Sequence, residues 1–167
     1  MTIRALGTAL GAVLFAITAA ATAAPTFTNY TPPAGLGQSA GEPSIGVNPD
    51  TGAVMYIASL ETLKVTFNAS GVASWSNVTG NLTSLMTLDP ILLTDQGTGR
   101  TFAVQLLGAS SAMEYTDDDG ASWVPSTLGV SAGVDHQTLG AGPYPSGVGG
   151  LFGSTNLTYP NAVYYCA

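Results

Sequence analysis

Three carboxylates recur at matching places along this chain. Glu42, Asp89 and Asp135 lie 47 and then 46 residues apart, and each opens a new unit of the chain. If such units close around an axis, equivalent positions form a ring. A ring of carboxylates could bind a cation or sugar hydroxyls, or work as acid and base. The plain alternative is a set of turn acids, each capping nearby backbone N–H groups. His136 follows Asp135 and is the only histidine in the chain. A zinc site of two or more histidines is therefore excluded, and no metal is assigned. Neighbours on a strand point to opposite faces, which speaks against a direct Asp135–His136 dyad. A solvated or packed loop histidine is the simpler reading of His136. Glu42, Asp89, Asp135 and His136 make up the candidate axial binding set, and no catalytic residue is identified.

A second acidic group is contiguous. Asp117, Asp118 and Asp119 sit between Tyr115-Thr116 and Gly120-Ala121-Ser122-Trp123. A calcium loop of the EF-hand type wants acids at alternate positions, then Gly, then a bidentate Glu. Asp117, Asp119 and Gly120 fit, but Tyr115 stands where the first ligand belongs and Ser126 where the Glu belongs. No cofactor is expected, with loosely held calcium at these acids as the one exception. The chain contains neither Gly-x-x-x-x-Gly-Lys nor Gly-x-Gly-x-x-Gly, so phosphate-loop and dinucleotide chemistry have no carrier.

Charge narrows the partners. The 167 residues hold ten acids and three Lys or Arg, for a net charge of −7. Beyond residue 24 only Lys64 and Arg100 are cationic. Nucleic-acid binding needs several Lys or Arg on phosphates, and is excluded on that ground. An anionic membrane surface is excluded for the same reason. Residues 1–24 read as a secretory signal peptide. Arg4 gives the positive start, Ala5 to Thr18 the apolar middle, and Thr22-Ala23-Ala24 the small-residue cleavage site. The mature chain is then expected to be secreted, extracellular or periplasmic. Cys166 is the single cysteine, and in an exported chain an odd cysteine suggests a partner elsewhere.

The elements that must position the acids are short strands. Residues 25–41 are rich in Pro, Thr, Gly and Ser and form an extended lead-in. Pro43 to Val47 is a short apolar strand, followed by the turn Asn48-Pro49-Asp50-Thr51-Gly52. In that turn Pro fixes φ, Asp50 caps its own backbone and Gly52 accepts a positive φ. Ala53 to Ala58 is a second strand, apolar enough to be covered on both faces. Leu63 to Phe67 alternates as a third, and Ala73 to Val78 around Trp75 is a fourth. The order then recurs. Pro90 to Gly99 repeats Pro43 to Gly52 at an offset of 47, and Thr98-Gly99 falls on Thr51-Gly52. Arg100 to Gln105, Ser111 to Tyr115 and Ser122 to Val124 continue the second unit. A third opens at Asp135, and Asn161 to Ala167 matches its second strand after a Gly- and Pro-rich stretch from Ala141 to about Pro160. Four strands in a period near 45 are the pattern of propeller blades. The expected fold is all-β: an incomplete β-propeller of about two and a half four-stranded blades, at about 42–84, 89–130 and 135–167, after a helical signal peptide.

Thr116-Asp117-Asp118-Asp119-Gly120-Ala121-Ser122-Trp123 has the spacing Thr-x-Asp-x-Gly-x-Ser-Trp. It resembles the Asp-box, or BNR repeat, of sialidase-like β-propellers, and Gly71 to Trp75 is a worn copy of it. The resemblance gives Thr116, Asp118, Gly120 and Trp123 a structural role on the outer part of a blade. It implies that residues 42–167 are the N-terminal fragment of a longer propeller, with a partner for Cys166 in the remainder. Sialidases use a tyrosine nucleophile, and they hold the sialate carboxylate with three arginines. The first of these lies in an Arg-Ile-Pro motif at the opening of the first blade. The matching stretch here is Gly41-Glu42-Pro43-Ser44-Ile45, which keeps the proline and lacks the arginine. Two functions remain open at this point. One is an exo-sialidase-like glycosidase acting on carbohydrate, whose catalytic set is not recognisable in these residues. The other is a non-catalytic extracellular propeller that binds or scaffolds.

Overall fold

A single turn design appears twice and sets the register of two sheets. The computed structural model describes residues 24–37, 41–83, 89–107, 110–126, 136–144 and 159–167. In the first turn the Asn48 side chain accepts from the Asp50 N–H (2.9 Å), and Gly52 at φ 71° closes onto the Asn48 carbonyl (2.9 Å). In the second the Asp95 carboxylate accepts from the Gly97 N–H (2.9 Å), and Gly99 at φ 73° closes onto the Asp95 carbonyl (2.9 Å). The capping residue of the first turn is thus Asn48 and not Asp50, because such a cap needs its acceptor two residues before the donor.

The strands around these turns are β1 (Ser44–Val47), β2 (Val54–Ala58), β3 (Glu61–Phe67), β4 (Ala73–Asn77), β5 (Ile91–Thr94), β6 (Thr101–Leu107), β7 (Ser110–Thr116), β8 (Val124–Pro125), β9 (Thr138–Pro143) and β10 (Asn161–Cys166). They form three antiparallel sheets: β1-β2-β3-β4, β5-β6-β7-β8 and the pair β9-β10. None of the sheets closes on itself, and the described residues include no helix. The protein is all-β over the described residues. The expected helical signal peptide lies outside them, as do Asp135 and most of the Gly-rich stretch after Pro143.

The first and second sheets share a core of Met55, Ile57, Leu92 and Ala103, with Val78 and Trp123 packed against it. Full burial of side chains such as Met55 and Ile57 stabilises by roughly 1.5–3 kcal/mol each. Strand β2 is fully covered on the face of Met55 and Ile57 and partly on the other, where Val54 and Tyr56 are half-buried and Ala58 is buried. The apolar residues of β1 do not face the neighbouring sheet. Ile45 and Val47 are exposed, and Ser44 and Gly46 take the inward positions. The reason is proximity: β1 and β5 approach so closely that a Cβ on Gly46 would collide with Thr94 and Leu92. Ser44 Oγ donates to the Leu92 carbonyl (2.9 Å) and accepts from the Leu92 N–H (3.1 Å), stitching the two strands together.

Strand β8 is only two residues long, and Pro125 in it lacks an N–H to donate. Strand β9 extends to Pro143, further than the Gly- and Pro-rich composition suggested. On β7, Glu114 is 1% exposed. Its carboxylate accepts from the Thr83 N–H (3.0 Å) and the Thr83 hydroxyl, which pins residues 80–83 between the sheets.

Candidate functional site

The first strands of the three units lie side by side, with β1 beside β5 and β5 beside β9. Glu42, Asp89 and His136 each stand two residues before one of these strands. One ligand atom from each, two carboxylate oxygens and an imidazole nitrogen, lies within 4.8 Å of the other two. Three of the four candidate axial residues are therefore brought together from sequence positions 42, 89 and 136, and the fourth, Asp135, lies outside the described residues.

Glu42 and His136 are exposed, and both take a left-handed backbone, with φ of 48° and 60°. His136 sits in the turn leading into β9, so strand alternation does not govern where its ring lies. Such backbone costs on the order of 1–3 kcal/mol at a non-glycine residue and clusters at functional sites. Asp89 differs from both. It is 9% exposed. Its carboxylate oxygens are not among the described buried polar atoms left without a partner, which are Thr62 Oγ1 and Gln105 Oε1.

A buried relay locks this corner in place. Ser111 Oγ donates to Tyr165 Oη (2.9 Å), Tyr165 donates to Gln137 Oε1 (3.0 Å), and Gln137 Nε2 donates to the backbone carbonyl of Asp89. Gln137 and Ser111 are buried. The residue next to His136 is thus bolted to the backbone of Asp89. The sequence reading missed Gln137, Tyr165 and Ser111. The adjacency of Gln137 to His136 was the only available signal.

Neither described cation reaches the cluster. Arg100 donates from Nε and Nη2 to both oxygens of Asp117 (2.7 Å each). Its guanidinium also lies over the rings of Tyr115 (3.9 Å) and Tyr159 (4.4 Å). The hydrogen bond to Asp117 raises its pKa above the usual guanidinium value. Lys64 sits in the middle of β3, opposite Met55 and Ser76. By register, Arg100 and the 117–120 turn occupy one end of the second sheet, and Asp89 the other.

At that first end every acid has its own partner. Asp117 holds Arg100. Asp118 accepts from the Ser122 N–H (2.8 Å), the Ser122 hydroxyl (2.6 Å) and the Thr116 hydroxyl (2.7 Å). The Ser122 hydroxyl and N–H, followed by Thr116, hold the Asp118 carboxyl down at about 2. Asp119 accepts from Asn48 Nδ2 (2.7 Å), which ties the turn back to the first sheet. Gly120, at φ 83°, donates its N–H to Thr116 Oγ1 (2.8 Å), and a Cβ there would come within 2.7 Å of Val78. Trp123 donates from Nε1 to the Val78 carbonyl (2.6 Å). The three acids face three different ways and do not converge on a shared point.

No protein-family model matches the chain, and no curated protein is significantly similar to it. The functional reading therefore rests on this geometry. Two carboxylates and one imidazole can attract a cation or accept hydrogen bonds from ligand hydroxyls.

Proposed function

We propose that the chain is part of an exported Asp-box propeller of sialidase-like ancestry and works as a non-catalytic binding module for neutral carbohydrate. Consecutive sheets are read as blades, and β1, β5 and β9 as their innermost strands. The observation that carries the reading is the convergence of Glu42, Asp89 and His136 at the openings of those adjacent strands. Hydrogen-bond acceptors that meet near an axis suit a ligand rich in hydroxyls. The same charge pattern disfavours a sialoside. An anionic sugar needs fixed cations, yet an acid stands at position 42 and Arg100 is committed to Asp117.

The test is retention on a panel of immobilised neutral and sialylated glycans, run beside hydrolysis of a fluorogenic sialoside. Neutral glycans are expected to be retained, sialylated ones to be passed over, and the sialoside to remain intact. Retention is expected to fall at least roughly tenfold in Glu42→Gln, a loss typical of one charged hydrogen bond. Turnover of the sialoside would return the glycosidase reading. Equal retention of the wild type and Glu42→Gln would remove the cluster as the binding site.

A further inference from the structure

We infer that Glu42, Asp89 and His136 bind a divalent transition-metal ion, with Zn²⁺ the first choice, through two carboxylates and one imidazole. The inference rests on the axial-cluster reading for its place in the fold, and not on the carbohydrate.

Three observations carry it. First, the donor atoms already lie within 4.8 Å of one another, although they come from three separate units of the chain. Ligands around zinc sit at about 2.0–2.2 Å from the ion, so neighbouring donors end up roughly 3–3.5 Å apart. His136 is exposed, and its ring can make the small closing movement by side-chain rotation. Second, two carboxylates, those of Glu42 and the 9% exposed Asp89, stand within 4.8 Å of each other, and like charges that close repel unless a cation lies between them. A divalent cation held between Asp89, Glu42 and His136 meets that need directly. Third, the relay Ser111–Tyr165–Gln137 ends on the main-chain carbonyl of Asp89 and so ties the strand opening that carries His136 to the one that carries Asp89. Two of the three ligands are thereby held on one fixed backbone frame.

The donor set selects among ions. Calcium and magnesium prefer all-oxygen sites, and an imidazole shifts the preference to zinc and its first-row neighbours. Three protein ligands leave at least one position open, as in metal sites that take a further ligand. That position lies where sugar hydroxyls would enter, which gives the proposed carbohydrate a point of coordination.

The experiment uses the full chain without a histidine tag. It is stripped with EDTA, desalted, and titrated calorimetrically with Zn²⁺ and, separately, with Ca²⁺. One equivalent of Zn²⁺ is expected per chain, with Ca²⁺ at least roughly 100-fold weaker for a site containing an imidazole. Asp89→Asn and His136→Ala are each expected to weaken Zn²⁺ by roughly 100-fold, since each removes one of three ligands. Because His136 is exposed, His136→Ala keeps the test sharp even where Asp89→Asn fails to fold, and circular dichroism identifies that case. Absence of a saturable Zn²⁺ site in folded wild type overturns the inference, as does unchanged affinity in His136→Ala. Equal affinity for Ca²⁺ and Zn²⁺ overturns it as well. Glycan retention that survives EDTA, with no Zn²⁺ uptake, sinks the metal and leaves the binding module standing. Zn²⁺ uptake without retention of any glycan does the reverse.

Discussion

The two ends of the second sheet treat their carboxylates in opposite ways. At the 117–120 end, three consecutive acids are each tied to a different partner: Arg100, the Ser122–Thr116 pair and Asn48. At the Asp89 end, carboxylate oxygens of Asp89 and Glu42 and a ring nitrogen of His136 come within 4.8 Å of one another. The crowded acids form a fastening, and the scattered ones meet. Local density of charge in the sequence thus points away from the site, because neighbouring acids in a turn are satisfied by the turn itself. Acids a whole repeat apart meet only through the docking of separate sheets.

This contrast can be broken at several points. The largest effect is expected for Trp123→Ala, which removes packing against the shared core and the bond to the Val78 carbonyl. A loss of about 3 kcal/mol is expected, at the lower end for a Trp because this one is half-buried. Urea unfolding measures it, and a loss below about 1 kcal/mol, the size of one ordinary hydrogen bond, would show that the turn fastens nothing.

Asp118→Asn comes next, with an expected loss of about 1 kcal/mol at neutral pH for hydrogen bonds made at an exposed carboxylate. The pH dependence has a definite sign. The folded-state pKa of Asp118 is depressed to about 2 from an ordinary value of 3.8. Its contribution is therefore complete above the ordinary value and is lost as pH falls through about 2. The stability gap between wild type and Asp118→Asn is expected to be constant from pH 7 to about 4 and to shrink below that. A gap that stays constant down to pH 2 would show that the carboxylate carries no such bonds.

Arg100→Lys gives a smaller change of about 0.5 kcal/mol, since an ammonium keeps the charge but loses the two-point grip on the exposed Asp117. Thermal melts at low and high salt read it, and the difference is expected to narrow with salt. The smallest effect is the one that sharpens the comparison most. In EDTA, Asp89→Asn is expected to change stability by less than about 0.5 kcal/mol, or to raise it, because a like charge within 4.8 Å of the Glu42 carboxylate is removed. A loss as large as that of Asp118→Asn would make Asp89 another fastening and erase the difference between the ends.

Much of this architecture was legible from local signals. The turns at Asn48–Gly52 and Asp95–Gly99 announce themselves through Asx and Gly chemistry, and their 47-residue offset aligned the two sheets. The same offset put Glu42 and Asp89 in line. Contacts between distant segments were not legible. Alternation on β7 shows that Glu114 shares a face with buried residues, but not that residues 80–83 return to cover it. The pairing of Asn48 with Asp119 spans 71 residues and leaves no periodic trace. The inward Ser44 and Gly46 invert the usual rule for a strand, because close approach of two strands rewards small residues over apolar ones. His136 is the solvated loop histidine its sequence suggests, but nothing local shows that its left-handed backbone brings it beside Glu42 and Asp89.

The bond from Gln137 to the Asp89 carbonyl crosses from the third unit to the second. A cluster with one member in each unit has no meaning in a chain where only two have docked. A ligand of the kind proposed for the cluster would add its own affinity to the docking of these units on one another.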